Sequence, residues 1–276
     1  MKKCLIISII LLILCLITLG IVTKLSENES LNSNENNTTT DEPASPNNIP
    51  FSLDINSEFV QNLYKMASPS SDAGVLKDLY DDGIPSNTYI LATGAMNYIR
   101  KNIPVDSEMI QNHMFTTTIT KEDLKQHIEE VFGSINYQDE DFYVLNYEYG
   151  VCGFTYKEEL ERYESLNGCG GSMFESFKRK LISAREEDNY FYITEKSIYI
   201  YNDWDDYISR RYIYSDYNQE KMLDYIETSS NESLTITVDD YLEEAITYDY
   251  VFEKNNDRYI FKGLQKNSNW SYNVIK

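Results

Sequence analysis

Two cysteines bracket the polar stretch at residues 152–171, "CGFTYKEELERYESLNGCGG", and they are the side chains best suited to covalent chemistry. They are Cys152 and Cys169, and the other two cysteines lie in the apolar amino-terminal segment. A thiol can form a disulfide, ligate a metal or act as a nucleophile. Sixteen residues separate the pair. A dithiol redox site usually has Cys-x-x-Cys spacing, so redox catalysis is not favoured.

We predict a disulfide between Cys152 and Cys169, because an exported chain meets an oxidising compartment. It would close a loop of about 18 residues and contribute ~3 kcal/mol. A helix over residues 155–167 would hold the thiols apart, whereas a hairpin folded near Leu160 and Glu161 would place Cys152 opposite Cys169. Capping residues favour the helix and aromatic residues favour strands. Both structures stay open, and the hairpin is favoured.

A zinc site and a cysteine nucleophile are the alternatives to a disulfide. His113 and His127 would complete four zinc ligands, but the spacing matches no zinc finger or ribbon. The stretch "YGVCGF" superficially resembles the nucleophile loop of papain-like and transglutaminase-like enzymes. Those families place their base histidine after the cysteine, and no histidine follows His127.

The order His127, Cys152, Arg162 is similar to that of sortases, the membrane-anchored transpeptidases of Gram-positive bacteria. The sortase "TLxTC" strand is absent, and "YEYGVC" stands where it would be. A cysteine-dependent transpeptidase or hydrolase centred on Cys152 is therefore the rival hypothesis for this chain. We predict no catalytic residues and no cofactor.

An aromatic and acidic cluster, "YNDWDDYISRRYIYSDYN", is the best candidate ligand surface. Tyrosine and tryptophan faces stack on sugars or anchor protein partners. Calcium could bind such carboxylates, but no EF-hand spacing is present, and we predict no metal site. With 24 tyrosines in the chain, a sheet surface or core position is the default for each. The predicted surface comprises Tyr201, Asp203, Trp204, Asp205, Asp206 and Tyr207.

The charge of the chain restricts its partners. The formal net charge is −21. Phosphate backbones would be repelled, so no nucleic-acid partner is expected. The same argument disfavours binding flat on an anionic membrane surface. The expected partners are an envelope protein, a peptide or a glycan.

The amino-terminal segment predicts a single membrane span. Two lysines precede an uncharged apolar run at residues 4–23, which as a helix spans about 30 Å. The lysines mark residues 1–3 as a cytoplasmic stub and direct the carboxyl-terminal body outward. A cleaved signal peptide and a lipoprotein are the alternatives, but small residues before a cleavage site are scarce. Residues 24–50 are rich in Asn, Ser, Thr, Glu and Pro and predict a disordered linker.

Residues 51–276 predict an extracytoplasmic α+β domain. Residues 51–135 carry helical periodicity, with a cap-box pattern at Thr120 and Asp123 and a stop at Gly133. Residues 136–276 change to period two, and the segments read as strands include "DFYVLNYEY", "YFYITEKSIYIY", "RRYIYSD" and "SLTITV". The clearest hairpin is "ITYDYVFEKNNDRYIFKGLQK". Leading helices and following antiparallel strands indicate α+β.

The motifs "GCGG" with "KLISAREEDNYFYITEKSIYIY", and the closing "YVFEKNNDRYIFKGLQ", resemble patterns in uncharacterised membrane-anchored and exported proteins of low-GC Gram-positive bacteria. The resemblance covers about the last 110 residues. It implies an envelope location and, in the carboxyl-terminal part, a cone-shaped sheet like that of nuclear transport factor 2, and it implies no activity.

These observations predict a single-pass protein of the cell membrane whose carboxyl-terminal domain is extracytoplasmic and acts by binding. The rivals are the cysteine enzyme described above and a structural surface protein that binds no ligand.

Overall fold

A computed structural model describes residues 51–70, 73–104, 116–146, 148–167, 175–205, 207–229 and 235–267. All of the described residues belong to one compact unit, Asn48–Lys276. The predicted span, stub and linker all lie outside the described residues. No helix among the described residues has the length and apolar character of a membrane span.

In the described part of the chain, four helices precede most of the strands, and each begins or ends where local chemistry favours it. Ser57 caps α1 by accepting from the Val60 amide. Thr120 caps α4 by accepting from the Asp123 amide, and Gly133 ends that helix with a φ of 67°, as predicted. The helices are α1 (Glu58–Met66), α2 (Ala73–Asp82), α3 (Asn87–Asn102) and α4 (Lys121–Phe132).

The larger sheet has seven antiparallel strands in the order β1-β6-β7-β10-β11, with β8 on β7 and β9 on β8. Its strands are β1 (Phe51–Leu53), β6 (Glu175–Glu187), β7 (Tyr190–Trp204), β8 (Ile208–Tyr214), β9 (Met222–Ser229), β10 (Ile246–Asn255) and β11 (Arg258–Lys266). The β10–β11 pair is the predicted terminal hairpin, turning at Asn256 and Asp257. The α+β class, with the sheet in the carboxyl-terminal part, is confirmed. The likeness to nuclear transport factor 2 stays a prediction.

Strand β7 is the shared strand of this sheet. One side pairs with β6 along almost its whole length. The other side pairs with β10 from Tyr190 to Ser197 and then with β8 from Tyr199 to Trp204. The sheet therefore forks at Ile198 into a β10–β11 branch and a β8–β9 branch. Each branch inherits its register, and hence its faces, from β7.

The smaller sheet has the order β2-β5-β4-β3 and contains the segment whose structure the sequence left open. Residues 151–167 form a hairpin, in which a short 3-10 turn (Glu158–Leu160) joins two strands. This is the favoured alternative, and it excludes a helix there. The strands are β2 (Thr118–Thr120), β3 (Phe142–Asn146), β4 (Val151–Lys157) and β5 (Arg162–Asn167).

One predicted strand is wrong over its described part. In "SLTITV", residues 235–237 are not extended into a sheet, and Val238 opens a second 3-10 turn, Val238–Tyr241. Thr237 caps that turn by a reciprocal interaction with Asp240. The apolar side chains of Ile236 and Val238 instead cover β7 and β8 around Ile198, Ile200 and Ile213. Alternation of threonine with apolar residues is typical of a strand. A segment outside any sheet shows the same pattern when its apolar side chains pack on the protein and its threonines do not.

The helices pack on one face of the larger sheet and form the main core. Tyr80 of α2 stacks on Phe177 of β6 with ring centroids 4.2 Å apart, and it meets Tyr248 of β10 edge-on at 4.8 Å. Such pairs stabilise beyond the area they bury. Aromatic side chains of these two strands thus anchor a helix from the first part of the domain.

A glycine contact between α2 and β11 provides a test of this packing. Gly83 ends α2 with a φ of 73°, and its carbonyl accepts from the Leu264 amide at 2.9 Å. A Cβ at Gly83 would overlap the Leu264 carbonyl oxygen, whereas Gly150 has a φ of 65° and open space around it.

We expect Gly150→Ala to lower the free energy of unfolding by ~1 kcal/mol, because alanine is penalised only for the left-handed backbone conformation. Gly83→Ala should cost about 1–3 kcal/mol more, because the backbones must also separate. Thermal or denaturant unfolding of the full-length protein in mild detergent measures both. Equal losses would show that α2 and β11 are not in close contact.

Candidate functional site

A carboxylate is buried near the middle of β7. Glu195 is fully buried. It accepts hydrogen bonds from the hydroxyls of Tyr64, at 2.7 Å, and of Tyr80. Since these tyrosines come from α1 and α2, the carboxylate holds two helices to the sheet. Burial raises the pKa of Glu195, and the charge of Arg179 and the tyrosine hydroxyls oppose that rise only in part.

A buried guanidinium accompanies this carboxylate. Arg179 on β6 donates to Ser68 Oγ at 2.6 Å and to the Ser70 carbonyl at 2.9 Å, and it lies near the ring of Tyr64. Both groups are therefore hydrogen-bonded, as buried charges must be. The sequence analysis did not identify Glu195 or Arg179. Their lone positions in a strand carry no motif, and their partners are far away in the chain. Hydroxyl and backbone groups of the same chain surround this network. Its role is therefore to hold the helices against the sheet.

The candidate ligand surface lies further along the same face of β7. Side chains alternate across a strand, so Phe191, Ile193, Glu195 and Tyr199 lie on the face that the helices cover. Tyr201 and Asp203 continue that face into the β8–β9 branch, where they are only partly buried. Because β7 is long, the face that the helices cover continues past them to the protein surface.

A row of three tyrosines crosses this part of the sheet. The register places Tyr201, Tyr212 and Tyr225 opposite one another on β7, β8 and β9. Their ring centroids are 6.0 Å and 5.1 Å apart. Tyr225 is 42 % exposed. Its hydroxyl donates to Glu227 Oε2 at 2.6 Å, and this hydrogen bond raises the pKa of Tyr225.

The next row is charged and centres on Arg210. The register places Asp203, Arg210 and Glu227 opposite one another. Arg210 lies 3.5 Å from Asp203 Oδ2, 3.3 Å from Asp205 Oδ2 and 3.5 Å from Glu227 Oε2. One cation therefore lies near three carboxylates, and these four side chains together have a net negative charge. We call the tyrosine row together with Asp203, Arg210 and Glu227 the tyrosine face.

An open groove lies on this surface. Its volume is about 330 Å³. Partly exposed tyrosines with carboxylates at their edges offer ring faces for stacking and cation–π contact, and acceptors for hydrogen bonds. The groove is lined by Tyr201, Asp203, Tyr212, Tyr214 and Gln219.

The predicted surface residues do not share one location. Tyr201 and Asp203 line the groove. Trp204 is on the opposite face of β7 by alternation. Asp205 and Tyr207 lie in the β7–β8 turn, where the amides of Tyr207 and Ile208 donate to Asp205 at 2.9 and 2.8 Å and lower its pKa. Asp206 lies outside the described residues. The sequence analysis missed Tyr212 and Tyr225, which only the strand register brings beside Tyr201.

The residues of the rival cysteine enzyme are not assembled into one site. Cys152 is disulfide-bonded. Cys169 lies outside the described residues, so the Cys152–Cys169 pairing stays a prediction. Arg162 pairs with Glu164 near the tip of the β4–β5 hairpin. About five residues of strand, roughly 16 Å, separate it from the level of Cys152. His127 is buried in α4, with Nδ1 2.8 Å from the Asp123 carbonyl. His113 lies outside the described residues.

Within the described ranges, no group of three or more His, Cys, Asp or Glu side chains is arranged to hold a metal ion. Comparisons of the chain with protein-family models, with curated proteins and with solved structures found no match.

The buried carboxyl should give the protein a distinctive pH dependence. Because its pKa is raised in the folded state, Glu195 binds its proton more tightly there than in the unfolded chain. Its contribution to the free energy of unfolding is therefore largest at low pH. It declines as pH rises from the ordinary carboxyl range through the raised value. Glu195→Gln stays neutral and lacks this decline.

We expect the stability of wild type relative to Glu195→Gln to fall as pH rises from about 4. Thermal unfolding of both full-length proteins across a pH series measures it, with Glu159→Gln in an exposed 3-10 turn as the control. A difference that does not change with pH would contradict a buried carboxyl.

The cysteine pairing has a direct chemical test. We expect proteolysis of the unreduced full-length protein to yield a peptide containing Cys152 linked to one containing Cys169, seen by mass spectrometry and lost on reduction. Cys152→Ser should then cost ~3 kcal/mol of stability. An unlinked, readily alkylated Cys152 would restore the cysteine-enzyme hypothesis.

Proposed function

We propose that this protein is a membrane-anchored, extracytoplasmic binding module whose ligand surface is the tyrosine face. The single observation that carries the proposal is the cross-strand row of Tyr201, Tyr212 and Tyr225 beside an open groove. Tyrosine contributes large, rigid contact area and is enriched among residues that dominate binding energy. The row lies on the continuation of a core face past the helices, where a partner can reach it.

The charge of this surface favours a basic peptide segment over the other expected partners. Arg210 is outnumbered by the three carboxylates around it. Glu175 on β6 pairs with Tyr201 at the near edge of the same face. The chain as a whole carries −21, which attracts cations over long range. Lysine or arginine side chains can meet both the carboxylates and the ring faces.

The location rests on the sequence and on one feature of the domain. The apolar run at residues 4–23 follows two lysines, as expected of an outward-facing anchor. The disulfide at Cys152 supports an oxidising compartment. The resemblance to exported proteins of low-GC Gram-positive bacteria agrees with a bacterial cell envelope.

The proposal predicts that the tyrosine row binds a cationic chain. We expect full-length protein in mild detergent to bind a short peptide of alternating lysine and serine, measured by calorimetry. The binding should weaken with added salt. Tyr212→Ala should weaken it roughly two- to tenfold, the size of a partly exposed cation–π contact.

Tyr143→Ala is the matched control, because Tyr143 is 70 % exposed on β3 of the smaller sheet. It should leave binding unchanged. A peptide of alternating glutamate and serine is the ligand control. Equal binding of both peptides, or equal effects of the two substitutions, would refute the proposed surface. No binding of either peptide would favour a structural surface protein.

A further inference from the structure

A second pocket lies on the opposite face of the β6–β7–β8 region from the tyrosine face. Its volume is about 220 Å³. It is lined by Ser176, Lys178, Ile200, Asn202, Arg211, Thr235 and Ile236.

Strand alternation explains why these residues share one face. Ile200 and Asn202 point away from Tyr201. The register places Ser176 opposite Ile200 on β6, and Arg211 opposite Asn202 on β8. The segment that leads into the Val238–Tyr241 turn closes the pocket with Thr235 and Ile236. This segment, which is not part of a strand, thus forms one wall of the pocket.

The pocket is cationic although the chain is strongly acidic. Lys178 and Arg211 line it, and no carboxylate of the described residues does. The described residues include no ion pair for either of these cations, whereas the neighbouring Lys180 is paired with Asp239. On the same face of β9, Asp224 accepts a hydrogen bond from Tyr241 at 2.8 Å. Both of these acidic groups thus have other partners among the described residues, and neither forms an ion pair with a pocket cation.

On this face, two buried polar atoms have no hydrogen-bond partner among the described residues. They are Nη1 of Arg211 and Oγ1 of Thr228. The register puts Thr228 opposite Ser209, two residues along β8 from Arg211 and therefore on the same face. An unsatisfied buried donor on a charged group is costly, so native proteins rarely leave one without a ligand or water.

We propose that this pocket binds a small oxyanion, namely a carboxylate or phosphate group. The guanidinium and the ammonium supply charge-assisted hydrogen bonds, and the Ser176 and Thr235 hydroxyls supply further donors. Ile200 and Ile236 shield the site, which strengthens these contacts. The pocket has room for one such group with a few waters, since a water occupies about 30 Å³. This site is separate from the tyrosine face and does not depend on the function proposed for it.

The test uses inorganic phosphate and acetate as separate probes on the full-length protein in mild detergent. Phosphate strengthens burial in any protein, so the informative quantity is a difference between variants. Arg211→Gln removes the partly buried cation whose Nη1 lacks a partner among the described residues. Arg258→Gln removes the same charge from an exposed position at the start of β11. Titration calorimetry measures the affinity, and thermal unfolding without anion checks the fold.

We expect saturable binding of at least one probe to wild type and to Arg258→Gln, and at least about a tenfold loss in Arg211→Gln. Binding of phosphate alone or acetate alone would support the site and identify its ligand group. If Arg211→Gln does not fold, Lys178→Gln supplies the comparison, because Lys178 is exposed, and it should weaken binding about threefold. No saturable binding to wild type, or equal affinities in the pocket variant and Arg258→Gln, would overturn the proposal.

Discussion

The period-two alternation of β7 is the constraint on which the rest of this structure depends. The strand runs for 15 residues and pairs with three others, so a shift by one residue would turn every face of the larger sheet over. On one face it carries the residues that the helices cover, and then Tyr201 and Asp203. On the other face it carries Ile198, and then Ile200 and Asn202. The last two residues line the cationic pocket. One register thus positions the core and both proposed binding surfaces.

Glu195 explains how that register is held. A carboxyl group in the core is tolerated only with hydrogen-bond partners, and Tyr64 and Tyr80 supply them from α1 and α2. A register shift would carry Glu195 to the other face and leave the hydroxyls without an acceptor. We therefore regard the network as a device for specifying one arrangement of helices on the sheet. The network favours one unique packing. It need not add stability, since proteins with apolar side chains of similar volume in place of buried charged groups are often as stable.

The elements that the sequence predicts well are those whose causes are local. Helix α4 has its cap at Thr120 and its stop at Gly133, and the terminal hairpin has its turn residues between alternating aromatics. Strand β6 was missed, because "ESFKRKLISAREE" has the charge of a solvated segment. Its arginines are satisfied by residues far along the chain, as when Arg185 pairs with Asp249 at 3.0 Å. No local pattern contains that information, and the same holds for Tyr212 beside Tyr201.

The sequence by itself determined the α+β class, and it also predicted limits on the partners and an amino-terminal anchor. These depend on periodicity, charge and apolar length, which are sums over neighbouring residues. Only the tertiary structure decided that residues 151–167 form a hairpin and that Trp204 faces away from Tyr201. It also decided that Arg211 and Lys178, on two strands that flank β7, line the same pocket. These depend on strand pairing between distant segments, where the free energy comes from contacts that no short window of sequence contains.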